Sequence, residues 1–339
     1  MKFFRFPVAI FACLLAASAA SAADINERTI KIGSALVSDH PQVLALNKFG
    51  ELLDQKSGGK LKVKVYAGGT LGNDVSMTAS VQGGVLEMAI PEASTLVGNP
   101  ALKEFGLLNL PLLFRNGKEA DAVIDGAFGK KLLDRMPPTG LIGLAIWENG
   151  FRHVTTSRRP ITKIEDFAGL KIRVLQNPLM IDLFGALGSN AVPMPFTEVY
   201  TALESKAVDG QENPFATILS SKFYEVNKHA VLSSHVYSAW VLIMSKKFWD
   251  KLTPDEQALI RSAAVEATAY ERSAIRDYDA KAVQEVKARG MQVTTLSDAE
   301  RARMADKLKP VTDKFVAQFG AASAGELMTE LSRVRGGTK

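Results

Sequence analysis

The sequence predicts an α/β protein of two lobes joined by one long helix, and three observations carry that prediction. Residues 165–214 alternate strand-like and helix-like periodicity in a β-α-β-α order: Lys171, Ile172, Arg173 and Val174 form the first strand, and Met180, Leu183, Phe184 and Leu187 follow at helical spacing. The chain of 339 residues is long enough for two domains of ordinary size. Residues 254–289 contain no glycine, and no proline after Pro254. A helix over that stretch would reach about 50 Å, too long for one small domain, so it is expected to lie across both.

The N-terminus comes first in chain order. Lys2 and Arg5 precede an apolar run over residues 6–17, and Ala20, Ser21 and Ala22 fit a small-residue cleavage site, which reads as a secretory signal peptide over residues 1–23. The apolar run is shorter than the roughly 20 residues a membrane span needs. The single cysteine, Cys13, falls inside it, so the exported chain has no disulfide and depends on burial for stability. Without Lys2 and Arg5 the 41 basic residues become 39 against 36 acidic ones, a formal +3. These charges are interspersed and form no stripe, which excludes a nucleic-acid footprint. Residues 231–244, the most apolar later stretch, are interrupted by Ser233, Ser234, His235 and Ser238.

Ile30 and Ile32 mark the first strand. Ser38, Asp39, His40 and Pro41 then offer a cap and an early proline for a helix whose stripe is Val43, Leu44, Leu46, Phe49, Leu52 and Leu53. Residues 61–66 alternate as a second strand, 74–82 form a short helix ended by Gly83 and Gly84, and 86–90 form a third strand. Strands separated by helices pair in parallel through right-handed crossovers. Residues 107–114, apolar around Pro111, are expected as a buried connection at a sheet edge. Helices over 118–124 and 128–135 lead to a strand over 141–147. Gly150, among Glu148, Asn149 and Arg152, marks a crossing between lobes, with the boundary near Asn149. Lobe I is then 24–149 with 238–275, and lobe II is 150–237 with 276–339. Thr253 caps the long helix, Gly290 ends it, residues 291–295 add a strand, and the remainder is helical.

In open α/β sheets ligands bind beyond the carboxyl ends of strands, which singles out Arg173 and Asn213. A guanidinium presents a flat fork that matches a carboxylate, while the competing role for Arg173 is an ion pair with Glu165, Asp166 or Glu198. Arg152 either adds a second fork or pairs with Glu148. Asn213 offers an amide donor and acceptor to a ligand, or caps the helix after Pro214. Strand alternation turns Glu212 away from the face of Asn213. Glu92 follows the third strand and, if it faces the cleft, repels a second ligand carboxylate; Asp74 supports it. Phe196, Trp147 and Tyr237 belong to the core or to a pocket wall. Ser38 and His40 lie near a helix N-terminus. His40, His153, His229 and His235 have no metal-ligand spacing, and no nucleophile or phosphate-loop motif is present. Asp209 and Glu212 form an imaginable acid pair that no further feature supports.

The words WENGFR, GLKIRV and NAVPMPFTEVYTALESKAVDGQENP resemble the solute receptors of tripartite ATP-independent periplasmic (TRAP) transporters, the DctP-like family, and the resemblance runs from about Ile30 to the C-terminal helices. It implies a two-lobed periplasmic binding protein with a long helix spanning both lobes. It also implies that Arg173 receives a substrate carboxylate, with Asn213 and, as the weaker contact, Arg152 beside it. Phe196 closes over the ligand, and Glu92 matches an acidic position that serves ligand hydroxyls and amine in sialic-acid-binding members. By the same resemblance the chain hands a small organic acid to the small and large permease subunits for ion-gradient-driven uptake. It is expected to need no cofactor and to act as a monomer in the periplasm after cleavage near Ala22 or Ala23. The expected ligand is a hydroxy or sugar acid with one carboxylate, against a dicarboxylate or an aromatic acid. A receptor of an ATP-driven importer, which lacks the spanning helix, is the first rival; an exported enzyme acting on such acids and an adhesive protein are the others.

Overall fold

The computed structural model describes residues 24–336, so the expected leader with Cys13 lies outside the described residues. Eleven strands form among them: β1 Arg28–Gly33, β2 Leu61–Tyr66, β3 Met88–Ala89, β4 Leu141–Phe151, β5 His153–Thr156, β6 Lys171–Val174, β7 Asn190–Pro193, β8 Gly210–Asn213, β9 His229–Leu232, β10 Tyr237–Ser245 and β11 Gln292–Thr295. One sheet has the order β2-β1-β3-β10-β4, the other β11-β9-β5-β8-β6-β7, and each is the centre of one lobe.

In the first sheet β1, β2 and β3 pair in parallel, as strands joined by crossover helices must. β3 is only two residues long, shorter than the expected 86–90, because pairing to β1 reaches only Met88 and Ala89. β10 is antiparallel to both β3 and β4. The strand expected to stop at Trp147 continues to Phe151, since its ladder with β10 extends to the pair Tyr237 and Phe151. Only Arg152 separates β4 from β5, so the chain passes from one sheet to the other within a single residue, and it returns between β9 and β10.

The helix over Pro254–Ala288 is continuous, opened by a reciprocal capping box between Thr253 and Glu256. Ile260, Ala263, Ala264 and Ala267 pack with Ile30, Phe49 and Trp240 of the first lobe, while Ala282 and Val286 pack with Val199 and Phe215 of the second. It spans both lobes, as its length requires, and it is not two separate helices within one lobe. The following helix, Asp298–Val334, also lies across both: Arg303 and Lys314 meet Glu165 and Asp182, whereas Glu326 and Arg335 meet Lys131 and Glu119. Its direction changes at Gly320, where φ of 139° departs from the helix, so residues expected with lobe II end on lobe I. The apolar connection over 107–114 is buried against this helix, with Leu107, Leu108 and Phe114 in one cluster with Phe315 and Phe319.

Midway along the spanning helix, Glu271 is fully buried. Its Oε2 accepts from the Glu148 backbone N–H at 3.1 Å, and Oε1 has no partner. Burial raises its carboxyl well above the ordinary 4.5, which favours its protonated form. The folded chain therefore binds a proton that the unfolded chain releases; the stability tied to it is complete below about pH 4.5 and is lost as pH rises through the folded value. Glu271→Gln, neutral at every pH, should lose less stability than wild type between pH 5 and pH 8. Urea midpoints at the two pH values measure this, and equal losses in both proteins would show that Glu271 is charged in the fold.

Candidate functional site

β6 lies between β7 and β8, parallel to both, and Arg173 stands beside Gln211 of β8 and Val192 of β7. Ile172 and Val174 pack into the lobe core, and Asn177 caps the helix Pro178–Ala186 by accepting from the Leu179 backbone, so the strand has a fixed end. The Arg173 guanidinium is 1% exposed. Its Nε and Nη2 both donate to the Met194 carbonyl, at 3.0 and 2.7 Å, and Nη1 has no partner. Among the described residues no carboxylate comes within ion-pair distance of it; the expected alternatives are absent, as Glu165 meets Arg303 and Asp166 bonds Thr162. Burial lowers its pKa to about 10, opposed chiefly by the charge of Glu212, so the group stays cationic at neutral pH.

Arg152 is placed differently from the first-named expectation of a free second fork. It is fully buried, and Nε and Nη2 grip the Glu212 carboxylate, with Nη2 to Oε1 at 2.9 Å; Nη1 donates to Ser238 Oγ at 3.2 Å. His235 Nε2 lies 3.3 Å from the same carboxylate. Burial alone would raise the Glu212 pKa, yet Arg152 and His235 together hold it below its ordinary value. The alternative pairing of Arg152 with Glu148 does not form, because Glu148 pairs with Arg276 of the spanning helix, which also meets Asp121 at 2.7 Å.

A cavity with about 350 Å³ of empty space, mouth included, lies between the lobes. Its walls include Asp74, Glu92, Asn149, Arg152, Phe196 and Asn213 from the sequence-marked stretches, and Gln42, Thr217 and Trp240 besides. Side chains from opposite lobes touch around it: His40 Nε2 is 3.2 Å from Thr217 Oγ1, and Phe196 packs against apolar clusters of both. Arg173 is behind the wall, its Cζ 6.0 Å from the centre of the Phe196 ring, and its charge is felt by Asp74 in the wall.

The acidic part of the cavity wall comes from the start of the helix Asp74–Gly83 and from the segment that follows β3. Glu92 Oε2 accepts from the Ser94 backbone at 2.7 Å and from the Ser94 hydroxyl, and Oε1 accepts from Asn109 at 3.3 Å. Asp74 Oδ2 accepts from the Glu92 backbone at 3.2 Å. Burial pushes Glu92 up to about 7 and Asp74 up to about 6, with Arg152 pulling the first partly back. The site therefore combines a cation behind the wall, paired by no carboxylate among the described residues, with two wall carboxyls that burial makes reluctant to ionise.

A profile of the bacterial extracellular solute-binding proteins, family 7 (DctP), matches residues 32–318. The chain belongs to that family. It is 36% identical over 318 residues to the 2,3-diketo-L-gulonate-binding periplasmic protein YiaO of Escherichia coli (strain K12), covering 93% of this chain and 95% of that one. Its structure is similar to that of the sugar acid binding protein DctPAm of Advenella mimigardefordensis strain DPN7T in complex with galactonate, with a TM-score of 0.89, 42% identity, and coverage of 91% of this chain and 99% of that one. It is also similar to a TRAP periplasmic solute binding protein from Ochrobactrum anthropi whose C-terminus is bound in its ligand binding pocket: TM-score 0.82, 51% identity, coverage 92% and 97%. The chain is thus a solute receptor of the TRAP type, and the ATP-driven rival falls away.

Besides Arg173, which stands behind the wall, three expected residues do not line this receptor's cavity. Trp147 is buried, with Nε1 donating to Thr268 of the spanning helix at 2.8 Å. Tyr237 stacks edge-on against Phe114 and Phe151 in the core. His40 caps its helix, Nδ1 accepting from the Gln42 backbone at 3.1 Å, and burial lowers its pKa to about 3, so it stays neutral behind Thr217. Asn213 does not cap the next helix, where Pro214 takes the cap position. The imagined acid pair is also apart, since Asp209 bonds the Lys171 backbone and Arg158.

Asn149, which the sequence marks only as the boundary between lobes, is a wall residue. The β4–β10 register steps from Gly150 and Ser238 to Glu148 and Ala239, leaving Asn149 as the extra residue of a bulge. Bulges re-aim a side chain, which explains why Asn149 faces the cavity while Trp147, two residues before, faces the helix. Gly150 follows with φ of 117°, a conformation open to glycine. Gln42 carried a weaker signal, a polar residue beside the apolar stripe of its helix.

The Arg152–Glu212 pair pins the crossing between β4 and β5 to the end of β8. Arg152→Ala would leave a buried carboxylate unpaired and should lower unfolding free energy by about 3–5 kcal/mol. Denaturant titration at pH 7 checks it, and a loss below about 1 kcal/mol, the worth of an exposed pair, would contradict this role.

Proposed function

We propose that this receptor takes up one hydroxylated monocarboxylate of the sugar-acid class in the periplasm, acts without catalysis as a monomer, and delivers its cargo to the small and large membrane subunits of a TRAP permease for ion-gradient-driven uptake. Export by the N-terminal leader, cleaved near Ala22 or Ala23, belongs to the same reading. The carrying observation is Arg173: a buried guanidinium with a free Nη1 and no carboxylate partner among the described residues. A buried charge is costly unless paired, and a ligand carboxylate meets that need with matching geometry. The galactonate bound by one similar structure and the 2,3-diketo-L-gulonate in the name of a relative both belong to the class of acids with a polar tail. Glu92 and Asp74, on the acidic side, favour hydroxyls and oppose a second carboxylate.

Lobe I, proposed as residues 24–149 with 238–275, and lobe II would close about the two strand crossings, with the spanning helix bending near Glu271. Phe196 and the contact of His40 with Thr217 would part on opening and meet again on closure.

With D-galactonate as probe, Arg173→Ala should cost roughly 2–5 kcal/mol of affinity, expressed mainly as faster release. Calorimetry of a variant shown to be folded decides it; unchanged affinity would remove Arg173 from the site. Affinity should also depend on pH. A bound anion raises the pKa of Glu92 and Asp74 above their values of about 7 and about 6, so the complex holds more protons than the free receptor and binding tightens as pH falls through that window. From pH 8 to pH 6 the dissociation constant should fall roughly three- to tenfold, the equivalent of a shift of up to one pKa unit. Glu92→Gln should remove most of that slope, and a wild-type affinity independent of pH would mean that neither acid senses the ligand.

A further inference from the structure

Asn213 meets the cavity with a side-chain amide whose orientation is set three hydrogen bonds away, at Asn227. Asn227 donates Nδ2 to the backbone carbonyls of Asp209 and Val226, at 3.3 and 3.2 Å, and its Oδ1 is therefore the acceptor for Thr155 Oγ1 at 2.7 Å. A hydroxyl has one proton to give. With that proton on Asn227, Thr155 accepts from Gln211 Nε2 at 3.0 Å. Gln211 then presents Oε1 to Asn213, whose Nδ2 donates to it at 2.6 Å. Carbonyl oxygens cannot donate, so the polarity is fixed at the Asn227 end and passes along the chain. All four side chains are buried, and Thr155 and Gln211 are direct cross-strand partners of β5 and β8.

The consequence falls at the cavity. Asn213 Oδ1 makes no hydrogen bond to the described residues, so the chain ends in an acceptor. β8 is the neighbour of β6, which carries Arg173 one position from the strand end. Arg173 is the register partner of Gln211, and Asn213 stands two residues on along the same face of β8, so an acid whose carboxylate reaches Arg173 would bring the substituent on its second carbon toward that oxygen. A hydroxyl supplies the missing proton; an oxo group faces acceptor with acceptor, and a CH₂ leaves the oxygen unbonded.

We propose that Asn227, Thr155 and Gln211 are positioning residues that lock Asn213 as a hydrogen-bond acceptor, making the receptor selective for acids with a hydroxyl next to the carboxylate over their 2-oxo and 2-deoxy counterparts. This rests on the sugar-acid reading above and goes beyond it, because the galactonate of one similar structure has that hydroxyl and 2,3-diketo-L-gulonate does not.

The test is calorimetry of the full-length mature receptor with D-galactonate and 2-deoxy-D-galactonate. Wild type should prefer the first by at least about tenfold, the equivalent of one hydrogen bond. Thr155→Val and Gln211→Met, which break the chain at two points while keeping volume, should each bring the ratio within about threefold; Thr155→Ser, which keeps the hydroxyl, should restore it. Circular dichroism checks folding, and the second variant carries the test should the first fail to fold. A wild type that binds both acids equally overturns the inference and leaves the receptor reading standing. Variants that keep the full ratio also overturn it, since a merely structural role would change stability and not selectivity. No binding of D-galactonate by wild type would overturn the sugar-acid reading and this inference with it.

Discussion

The charge on Arg173 is the constraint around which the rest of the site is arranged. A guanidinium taken out of water needs compensation, and here two of its donors meet one carbonyl while Nη1 is buried without a partner. Every nearby carboxylate is kept off it. Glu212 is committed to Arg152 and His235, and Glu92 is surrounded by Ser94 and Asn109. An anion arriving from solution therefore finds a cation that the protein itself does not neutralise. On the proposed function the same arrangement would give selectivity, since two wall carboxyls that resist ionisation favour a polyol tail and oppose a second anion.

The mechanical framework serves that cation. Two strand crossings and one continuous helix are the covalent links between the sheets, and the polar contacts at those links are strong ones: Arg152 with Glu212 at the strand crossing, Arg276 with Glu148 and Asp121 at the helix. They hold hinge elements firmly while leaving the lobes joined elsewhere by weaker contacts such as Phe196 packing and the His40–Thr217 bond. In the proposed function, closure would bury a ligand between surfaces that are already shaped, and the ligand would add the bond that Arg173 lacks.

Much of the fold is legible in the residues because periodicity and punctuation agree. β6, the helix after it and β7 lie where alternation and helical spacing put them, and Thr253 caps the spanning helix as its position suggests. What escaped needed a partner strand or a second lobe. The bulge at Asn149 exists only in the register of β4 against β10, and the length of β4 depends on the same ladder. Arg152 has two acidic candidates in the sequence, and only the tertiary fold decides for Glu212 over Glu148. Trp147 and Tyr237 share the composition of a pocket wall and of a core; side-chain direction, fixed by pleat and bulge, put both in the core. The chain from Asn227 to Asn213 joins residues on three strands or their connections and has no linear signature.

A crystal structure of the mature receptor grown with D-galactonate addresses the central claim most directly, because it reads the position of the carboxylate. The account predicts carboxylate oxygens within hydrogen-bond distance of Arg173 Nη1 and hydroxyls against Glu92. A carboxylate bound elsewhere, with Nη1 of Arg173 still unbonded inside closed lobes, would contradict it.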